Sequence, residues 1–334
     1  MQSTKSKPLW RSPFTISLIA AVFTAVYKAM DNITVHNLFK ADDGLTAAFA
    51  YLVVGAWTGV VFSLLFALIF GKRLVDPDFN GFIVKNSFMQ SQAFISGLIS
   101  AGSTLFLLWG NQFGDPSVLI SLGSGVILYT AFYDVATKQI EFAKILLPLL
   151  LVFVGSLLAT YGGGSLYVSL AGILLVLILS NGLSAFSEIV EQRGVRKSDG
   201  VNFFFWRFFW LAFTGTILAF VISFGRGYLD EFLSTAGNAI QNPLILLWIA
   251  FTMLFVFLGI GMKLNAKKEG AISIVLITLS AQLILGYPIT IVGNLLRPGV
   301  FGAIPLDYGI WGIRILGAAL IIMAIYKTRS KRSA

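Results

Sequence analysis

Two segments of the chain resemble each other: DGLTAAFAYLVVGAWTGVVFSLLFALIFG at residues 43–71 and DGVNFFFWRFFWLAFTGTILAFVISFGRG at residues 199–227. At a constant offset of 156 they share seven of 29 residues without a gap. The shared pairs are Asp43 and Asp199, Gly44 and Gly200, Phe49 and Phe205, Ala56 and Ala212, Thr58 and Thr214, Gly59 and Gly215, and Gly71 and Gly227. A second window, 118–122 against 275–279, matches at an offset of 157. The pattern predicts an internal repeat.

The composition places this repeat in a membrane. Of the 334 residues, 57% are apolar and only 12% are charged, which excludes an ordinary soluble domain. The chain has no cysteine, so disulfides and thiolate metal sites are excluded. The single histidine, His36, lies in a polar connection, which argues against a histidine-based metal site or catalytic triad. No metal and no other cofactor is expected.

Apolar runs give the number of spans, because a membrane-crossing helix needs about 20 largely apolar residues. Ten runs are predicted as spans: 12–29, 45–70, 88–110, 116–134, 143–160, 166–190, 201–224, 243–262, 270–292 and 309–326. Turn-forming residues separate them, for example at 31–32, 114–116, 162–164, 241–243 and 297–299. The two similar segments are five spans apart and therefore cross with opposite orientation. The expected fold is an all-α integral membrane protein with ten transmembrane helices in two inverted five-helix repeats, at residues 12–160 and 166–326.

The basic residues predict the orientation. Eighteen Lys and Arg fall on the side of both termini, whereas the opposite loops hold only Lys28, Lys40, Arg226 and Arg297. By the positive-inside rule, residues 1–11 form a cytoplasmic amino-terminal segment and residues 327–334 a basic cytoplasmic tail. The net charge of +9 is therefore a signal of topology and not of nucleic-acid binding. A multi-pass protein of a bacterial or archaeal cytoplasmic membrane, contacting its lipids, is expected.

Polar and amphipathic side chains near the middle of spans are candidates for binding a solute, since such groups favour the interior of a helix bundle. The predicted binding residues are Trp57, Ser103, Tyr129, Asn181, Arg207, Thr214 and Gln282. For Ser103 and Thr214, hydrogen bonding to the preceding helical turn is the alternative. The amides of Asn181 and Gln282 have four hydrogen-bonding valences to satisfy and are stronger candidates.

Charged residues at span ends are candidates for gating or coupling. Arg207 lies inside a span and is interpreted as an anion clamp or an ion-pair gate, with snorkelling to the headgroups as the alternative. Lys28 and Glu188 occupy corresponding places in the two halves and are predicted gate charges, although interfacial anchoring is an equal alternative. Tyr287 and Pro288 follow Gln282, and a proline inside a span permits a kink, which makes the ninth span a candidate gating helix.

Ten spans in two inverted halves with cytoplasmic termini resemble the drug/metabolite transporter superfamily, in its EamA-like branch. The stretches that resemble the family are 132–139 with the apolar helix after it, 181–186, the arginine at 207 and the glycine-led segment 317–322. The resemblance implies a carrier without enzymatic activity. Its members carry amino acids and other metabolites, nucleotide sugars, phosphorylated sugars or amines.

These observations together predict a secondary, alternating-access transporter of a small polar organic metabolite, most simply an amino acid or a similar zwitterion or anion. A lipid or lipid-headgroup flippase, or a carrier of amines or quaternary ammonium compounds, is the alternative on the same fold. An intramembrane enzyme is disfavoured, since Asp42 and Asp43 form an isolated acidic pair that is more simply a helix cap. The partners expected are the solute and membrane lipids, without nucleic acid, for a monomer or homodimer.

Overall fold

The structure is a computed structural model that describes residues 12–39, 41–82, 86–110, 122–161, 169–297 and 307–330. In this part of the chain all regular structure is helical. The principal helices are α1 Pro13–Ile33, α2 Gly44–Phe66, α3 Ser87–Gly110, α4 Val126–Ala136, α5 Phe142–Ala159, α6 Leu170–Val195, α7 Gly200–Gly225, α8 Pro243–Glu269, α9 Ile272–Leu296 and α10 Tyr308–Ser330. A shorter helix, Leu229–Gln241, links α7 to α8 and is called the connecting helix.

Three helices contain wider, π-type turns. Thr34–Leu38 extends α1, Ala67–Val75 extends α2, and Leu174–Ser180 lies inside α6. Helix α9 consists of Ile272–Leu279 and Ala281–Leu296, which meet at Ser280. Such turns change the direction of side chains along a helix and are frequent at functional sites.

Among the described residues, eight helices are long and apolar enough to cross a membrane: α1, α2 with its extension, and α5 to α10. The chain is therefore an all-α, multi-pass membrane protein. Of the other two predicted spans, 88–110 coincides with α3, and 116–134 is described only from residue 122 as the start of α4. The predicted terminal segment 1–11, most of the window 118–122, the breaks at 114–116 and 162–164, and residues 331–334 of the predicted tail lie outside the described residues.

The structure corrects two predicted boundaries. Helix α1 does not break at residues 31–32 but continues to Ile33. The Asp31 carboxylate accepts a hydrogen bond from the Tyr51 hydroxyl, and the Asp31 carbonyl accepts one from the Thr34 amide. Helix α8 does not end at 262 but continues to Glu269, seven residues further. The connecting helix was not predicted: it has 13 residues, with Phe232, Thr235, Ala236 and Ala239 buried on one face.

Helices α2 and α7 pack antiparallel. At one end Asp43, which caps α2, is paired with Arg226, which follows α7, and the Nη1 to Oδ2 distance is 2.8 Å. At the other end Asp76, after the α2 extension, accepts a 2.7 Å hydrogen bond from the Gly200 amide at the start of α7. The predicted capping role of Asp43 is confirmed, since its carboxylate accepts from the Thr46 amide at 2.9 Å.

Helices α5 and α10, the fifth of each predicted half, pack on each other. A Cβ added to Gly317 would lie 2.3 Å from the Ala159 nitrogen and 2.7 Å from the Gly155 carbonyl oxygen. Only glycine permits this backbone approach. Both helices leave apolar faces at the protein surface, including Leu146, Leu150 and Ile322.

Candidate functional site

A buried group of five charged side chains joins α6, α7 and α8. It contains Glu188 and Glu191 of α6, Arg207 of α7, and Lys263 and Lys267 of α8, and is called the charged cluster. The Arg207 Nε lies 2.7 Å from Glu191 Oε1, and the Lys263 Nζ lies 2.9 Å from Glu188 Oε1 and 3.6 Å from Glu191 Oε2. The Lys267 ammonium contacts both carboxylates. The cluster therefore links three helices through ion pairs.

Helical periodicity explains why these residues meet. Glu188 and Glu191 are three positions apart on α6, and Lys263 and Lys267 are four apart on α8, so each pair shares one helix face. The two faces are turned toward each other. The side chains of Glu191 and Lys267 are 0% exposed, whereas those of Glu188 and Lys263 are 13% and 16% exposed. The cluster thus has a fully buried part and a partly exposed part.

Helix α3 supplies serine hydroxyls to Arg207. The Arg207 Nε donates to Ser96 Oγ at 3.1 Å, and the Arg207 Nη2 donates to Ser100 Oγ at 2.8 Å. Ser187 of α6 is hydrogen-bonded to both serines, at 2.8 and 2.9 Å. Between the serines, a Cβ on Gly97 would lie 2.7 Å from the Arg207 carbonyl oxygen, so a glycine is needed for this approach. Arg207 therefore does not snorkel to the headgroups but is held inside the bundle.

The charged cluster has three cations and two carboxylates. Burying an unpaired charge in a membrane interior costs several kcal/mol, on the order of 2.5–3.5 even by the lower scales. Ion pairing offsets most of that cost only where each cation has its own carboxylate. Counted as fully ionised, the cluster has three cations to two carboxylates, a balance that an anionic group would complete.

Helix α1 brings a second polar row to the centre. Tyr27, Lys28 and Asp31 lie along it, and the Asp31 carboxylate accepts a hydrogen bond from the Tyr51 hydroxyl of α2. The charges of Lys263 and Arg207 act on the Tyr27 phenol, and Lys28 lies within electrostatic range of Asp31 and Lys263. The Lys28 side chain is exposed at the surface of the bundle.

Four predicted binding residues lie between helices. The Trp57 indole nitrogen donates to Thr216 Oγ1 at 2.9 Å and joins α2 to α7. The Asn181 amide nitrogen donates to the Leu122 carbonyl at 2.6 Å, and the Tyr129 hydroxyl to the Leu177 carbonyl at 3.1 Å, so both join α6 to the start of α4. The Ser103 hydroxyl donates to the Ser180 carbonyl at 3.1 Å and joins α3 to α6. These contacts stabilise the packing, and a role in solute binding stays a prediction.

The remaining predicted residues are Thr214, Gln282, Tyr287 and Pro288. The Thr214 hydroxyl donates to the Trp210 carbonyl one turn earlier at 2.7 Å, the local bond that was its alternative. In contrast, the Gln282 Oε1 is buried and accepts no hydrogen bond from the described residues. Tyr287 donates to the Ala159 carbonyl, and Pro288 lies within a helical segment that continues to Leu296. The discontinuity of α9 is at Ser280 and not at Pro288.

Polar contacts also join the helices at the basic end of the bundle, the end where α2, α4, α6, α8 and α10 finish. Asp134 of α4 accepts from the Ser273 amide at 2.7 Å and from its hydroxyl at 2.6 Å, at the start of α9. Gln192 donates to the Lys267 and Gly270 carbonyls at 3.2 and 2.8 Å. Nearby, burial raises the pKa of the Asp199 carboxyl, which caps α7. At this end the Asp134 contacts therefore join the first predicted half of the chain to the second, and the Gln192 contacts join α6 to α8 within the second half.

Sequence reasoning found Arg207, Lys28 and Glu188 but missed Glu191, Lys263, Lys267 and Asp31. The lysines were assigned to a loop, because α8 was expected to end before them. A signal was present: Glu188 and Glu191 at a three-residue spacing, and Lys263 and Lys267 at a four-residue spacing, each pair continuing an apolar run. Across the described residues, no group of three or more His, Cys, Asp or Glu side chains is arranged to hold a metal ion.

Solved structures share this fold. One, described only as the crystal structure of a protein, is 14% identical in sequence and has a TM-score of 0.60. The alignment covers 96% of this chain and 99% of the other, so the likeness extends over the whole bundle. At this level of identity it concerns the fold alone. No protein-family model matches the chain, and no curated protein matches it.

Proposed function

We propose that the protein is a secondary transporter that moves a small polar organic solute by alternating access. In this proposal ten helices cross the membrane as two inverted halves, α1 to α5 and α6 to α10. The observation that carries the proposal is the charged cluster: a multi-pass bundle encloses five ionisable side chains, two of them fully buried and two partly exposed. Buried charges in membrane helices are costly and usually mark a path for a solute or ion.

The packing of the helices supports two inverted halves. Helix α3 packs on α6 and α7, and α8 packs on α1 and α2. Likewise α4 packs on α6, and α9 on α1. The contacts of α3 and α4 in the first half are thus repeated by α8 and α9, the helices five places later in the second half. The helices that correspond to each other also pack together in three pairs: α2 with α7, α4 with α9, and α5 with α10. Inverted repeats of this type, with a site at their interface, are typical of secondary transporters.

Corresponding polar residues make corresponding contacts. Tyr51 and Arg207 are 156 positions apart, and each binds a carboxylate of the preceding helix, Asp31 or Glu191. Those carboxylates are 160 positions apart, as are Lys28 and Glu188. The contact is therefore built twice, once as a phenol with a carboxylate and once as a guanidinium with a carboxylate. This repetition supports the prediction that Lys28 and Glu188 are gate charges of opposite ends.

The charges favour an amino acid or a similar zwitterion or anion as the solute. Lys28 and Lys263 offer cations to a carboxylate, and Asp31 and Glu188 offer acceptors to an ammonium group. The three basic side chains of the cluster, against two carboxylates, disfavour a purely cationic solute. We further propose that the basic end is cytoplasmic, as the positive-inside rule predicts, and that the protein belongs with the drug/metabolite transporters that its sequence resembles.

A ligand screen tests this proposal. A solute that binds the folded protein raises its unfolding temperature. We expect one zwitterionic or anionic metabolite, among amino acids, phosphorylated sugars, nucleotides and amines, to raise the unfolding midpoint of purified protein in detergent. The same solute should then enter proteoliposomes. The proposal is wrong if only amines bind, or if labelled lipid is flipped while none of the solutes is taken up; the second result would identify a flippase.

A further inference from the structure

A second polar feature lies at the basic end, away from the charged cluster. A cavity of about 820 Å³ opens between the turn from α4 to α5, the start of α9 and the end of α10. Its lining includes Lys138, Glu141, Lys144, Glu269 and Lys327. Ligand sites commonly occupy volumes of ~300–1,000 Å³, so the cavity is large enough for a small polar group.

The charges of the cavity favour an anion. Lys144 is neutralised by Glu141, since their Nζ and Oε1 atoms are 2.8 Å apart. Counting every charged residue of the lining, three lysines face two glutamates. Lys138 has a backbone φ of 58°, the left-handed conformation that reverses the chain between α4 and α5 and presents its side chain at the rim. The lining therefore carries a net positive charge at the protein surface.

The surface next to the cavity is apolar. Phe142, which lines the cavity, is 50% exposed, and Leu146 one turn further along α5 is 41% exposed. On α10, Tyr326 is 66% and Met323 47% exposed. These side chains continue from the cavity along the two helices toward the bilayer interior. A polar, positively charged site that leads into an apolar groove matches a molecule with an anionic head and an acyl tail.

From these observations we infer that the cavity binds the headgroup of an anionic phospholipid, whose acyl chains lie along α5 and α10. The headgroup phosphate is placed by Lys138 and Lys327, and the chains cover the exposed residues of both helices. Basic residues at the end of membrane helices attract anionic lipids, and pockets between such helices bind their headgroups. This site is separate from the charged cluster and does not depend on what the protein transports.

Native mass spectrometry with short-chain phosphatidylglycerol tests the inference. We expect Lys138→Gln and Lys327→Gln each to weaken binding about fivefold, the effect of one basic residue near an anionic surface. Lys138→Arg and Lys327→Arg, which keep the charge, should bind as the wild type does. Lys197→Gln is the matched control, because Lys197 is exposed at the same end between α6 and α7 but does not line the cavity.

Two further ligands separate the possible sources of the phosphate. Short-chain phosphatidylcholine should bind weakly to all variants, and free glycerol phosphate should bind at least tenfold more weakly than phosphatidylglycerol. The inference is overturned if Lys197→Gln weakens phosphatidylglycerol binding as much as Lys138→Gln does. It is also overturned if glycerol phosphate binds as tightly as the lipid, since the cavity would then be a site for a soluble phosphate compound.

Discussion

Glu191 is the residue on which the charged cluster depends. It is fully buried, and it contacts Arg207, Lys263 and Lys267. Its removal would leave three cations facing only Glu188. The carboxylate therefore balances the cations within the bundle, and in the proposed transporter it would limit the positive charge that the solute meets.

The substitution Glu191→Gln tests this role. Breaking a buried ion pair by removing one partner typically costs ~3–5 kcal/mol, because the remaining charge is left without compensation. We expect a large decrease in the unfolding midpoint of the purified protein in detergent. Glu141→Gln is the control: it removes an exposed pair with Lys144, which should contribute below ~1 kcal/mol. Equal shifts for both variants would show that the cluster does not stabilise the fold.

Asp43 makes a prediction about pH. The hydrogen bond from Arg226 lowers the pKa of the Asp43 carboxyl below its usual value. Because the folded-state value is depressed, the pair stabilises the native state above the ordinary aspartate pKa of ~3.9, and this contribution is lost as the pH falls through the lower folded value. The pair is partly exposed, so it should contribute at most ~1 kcal/mol.

Asp43→Asn measures this contribution, since asparagine caps a helix as well as aspartate does. The variant should be less stable than the wild type in denaturant unfolding at pH 7, and the difference should begin to shrink below pH ~4 and vanish once the pH is below the lowered pKa of the folded state. A difference that stays constant over this range would mean that the cap, and not the ion pair, is responsible.

Some site residues were predictable and others were not, for a physical reason. Arg207 was recognised because a charge within an apolar run is conspicuous. Lys263 and Lys267 were not, because hydropathy alone ends α8 where the lysines begin. Only the packing shows that they continue the helix and face two carboxylates. Sequence periodicity identifies a shared face, but it does not identify the helix opposite.

At the scale of helices, α5 and α10 form the closest crossing in which both partners use glycine. Gly317 and Gly155 lie where a Cβ would overlap the facing backbone. We expect Gly317→Ala to push the two helices apart and to lower stability by ~1–3 kcal/mol, the usual cost of overpacking. Thermal unfolding in detergent measures it.

Gly312 provides the matched control on the same helix. A Cβ added there meets nothing within 4 Å. Gly312→Ala should therefore be neutral or stabilising by up to ~1 kcal/mol, because alanine favours the helix more than glycine does. If Gly317→Ala behaved in the same way, the tight crossing would be contradicted.

The positions of the membrane-spanning helices were largely predictable, because a span needs an apolar run of about 20 residues. Each of the ten predicted runs overlaps a described helix. The connecting helix was missed, since its 13 residues fall below that threshold and its apolar residues occupy one face only. Asp31 was taken as a loop residue because the sequence does not reveal its partner Tyr51.

For the whole molecule, the absence of cysteine makes the topology directly measurable. We propose that Lys197, between α6 and α7, is cytoplasmic, and that Ser234, on the connecting helix, is outside. A membrane-impermeant maleimide should label Ser234→Cys in intact cells but Lys197→Cys only after lysis. The reverse pattern would overturn the orientation, and labelling of both in intact cells would overturn the odd number of crossings between them.

Counterflow tests the central claim most directly. Proteoliposomes are loaded with a high concentration of the unlabelled solute found in the thermal-shift screen and diluted into buffer that contains only a trace of the labelled solute, whose entry is followed. A carrier with one alternating site should accumulate label transiently above its equilibrium level, and Lys263→Met, which removes an accessible cation of the cluster, should abolish the overshoot. Simple equilibration without an overshoot, the same in wild type and variant, would contradict alternating access through this cluster.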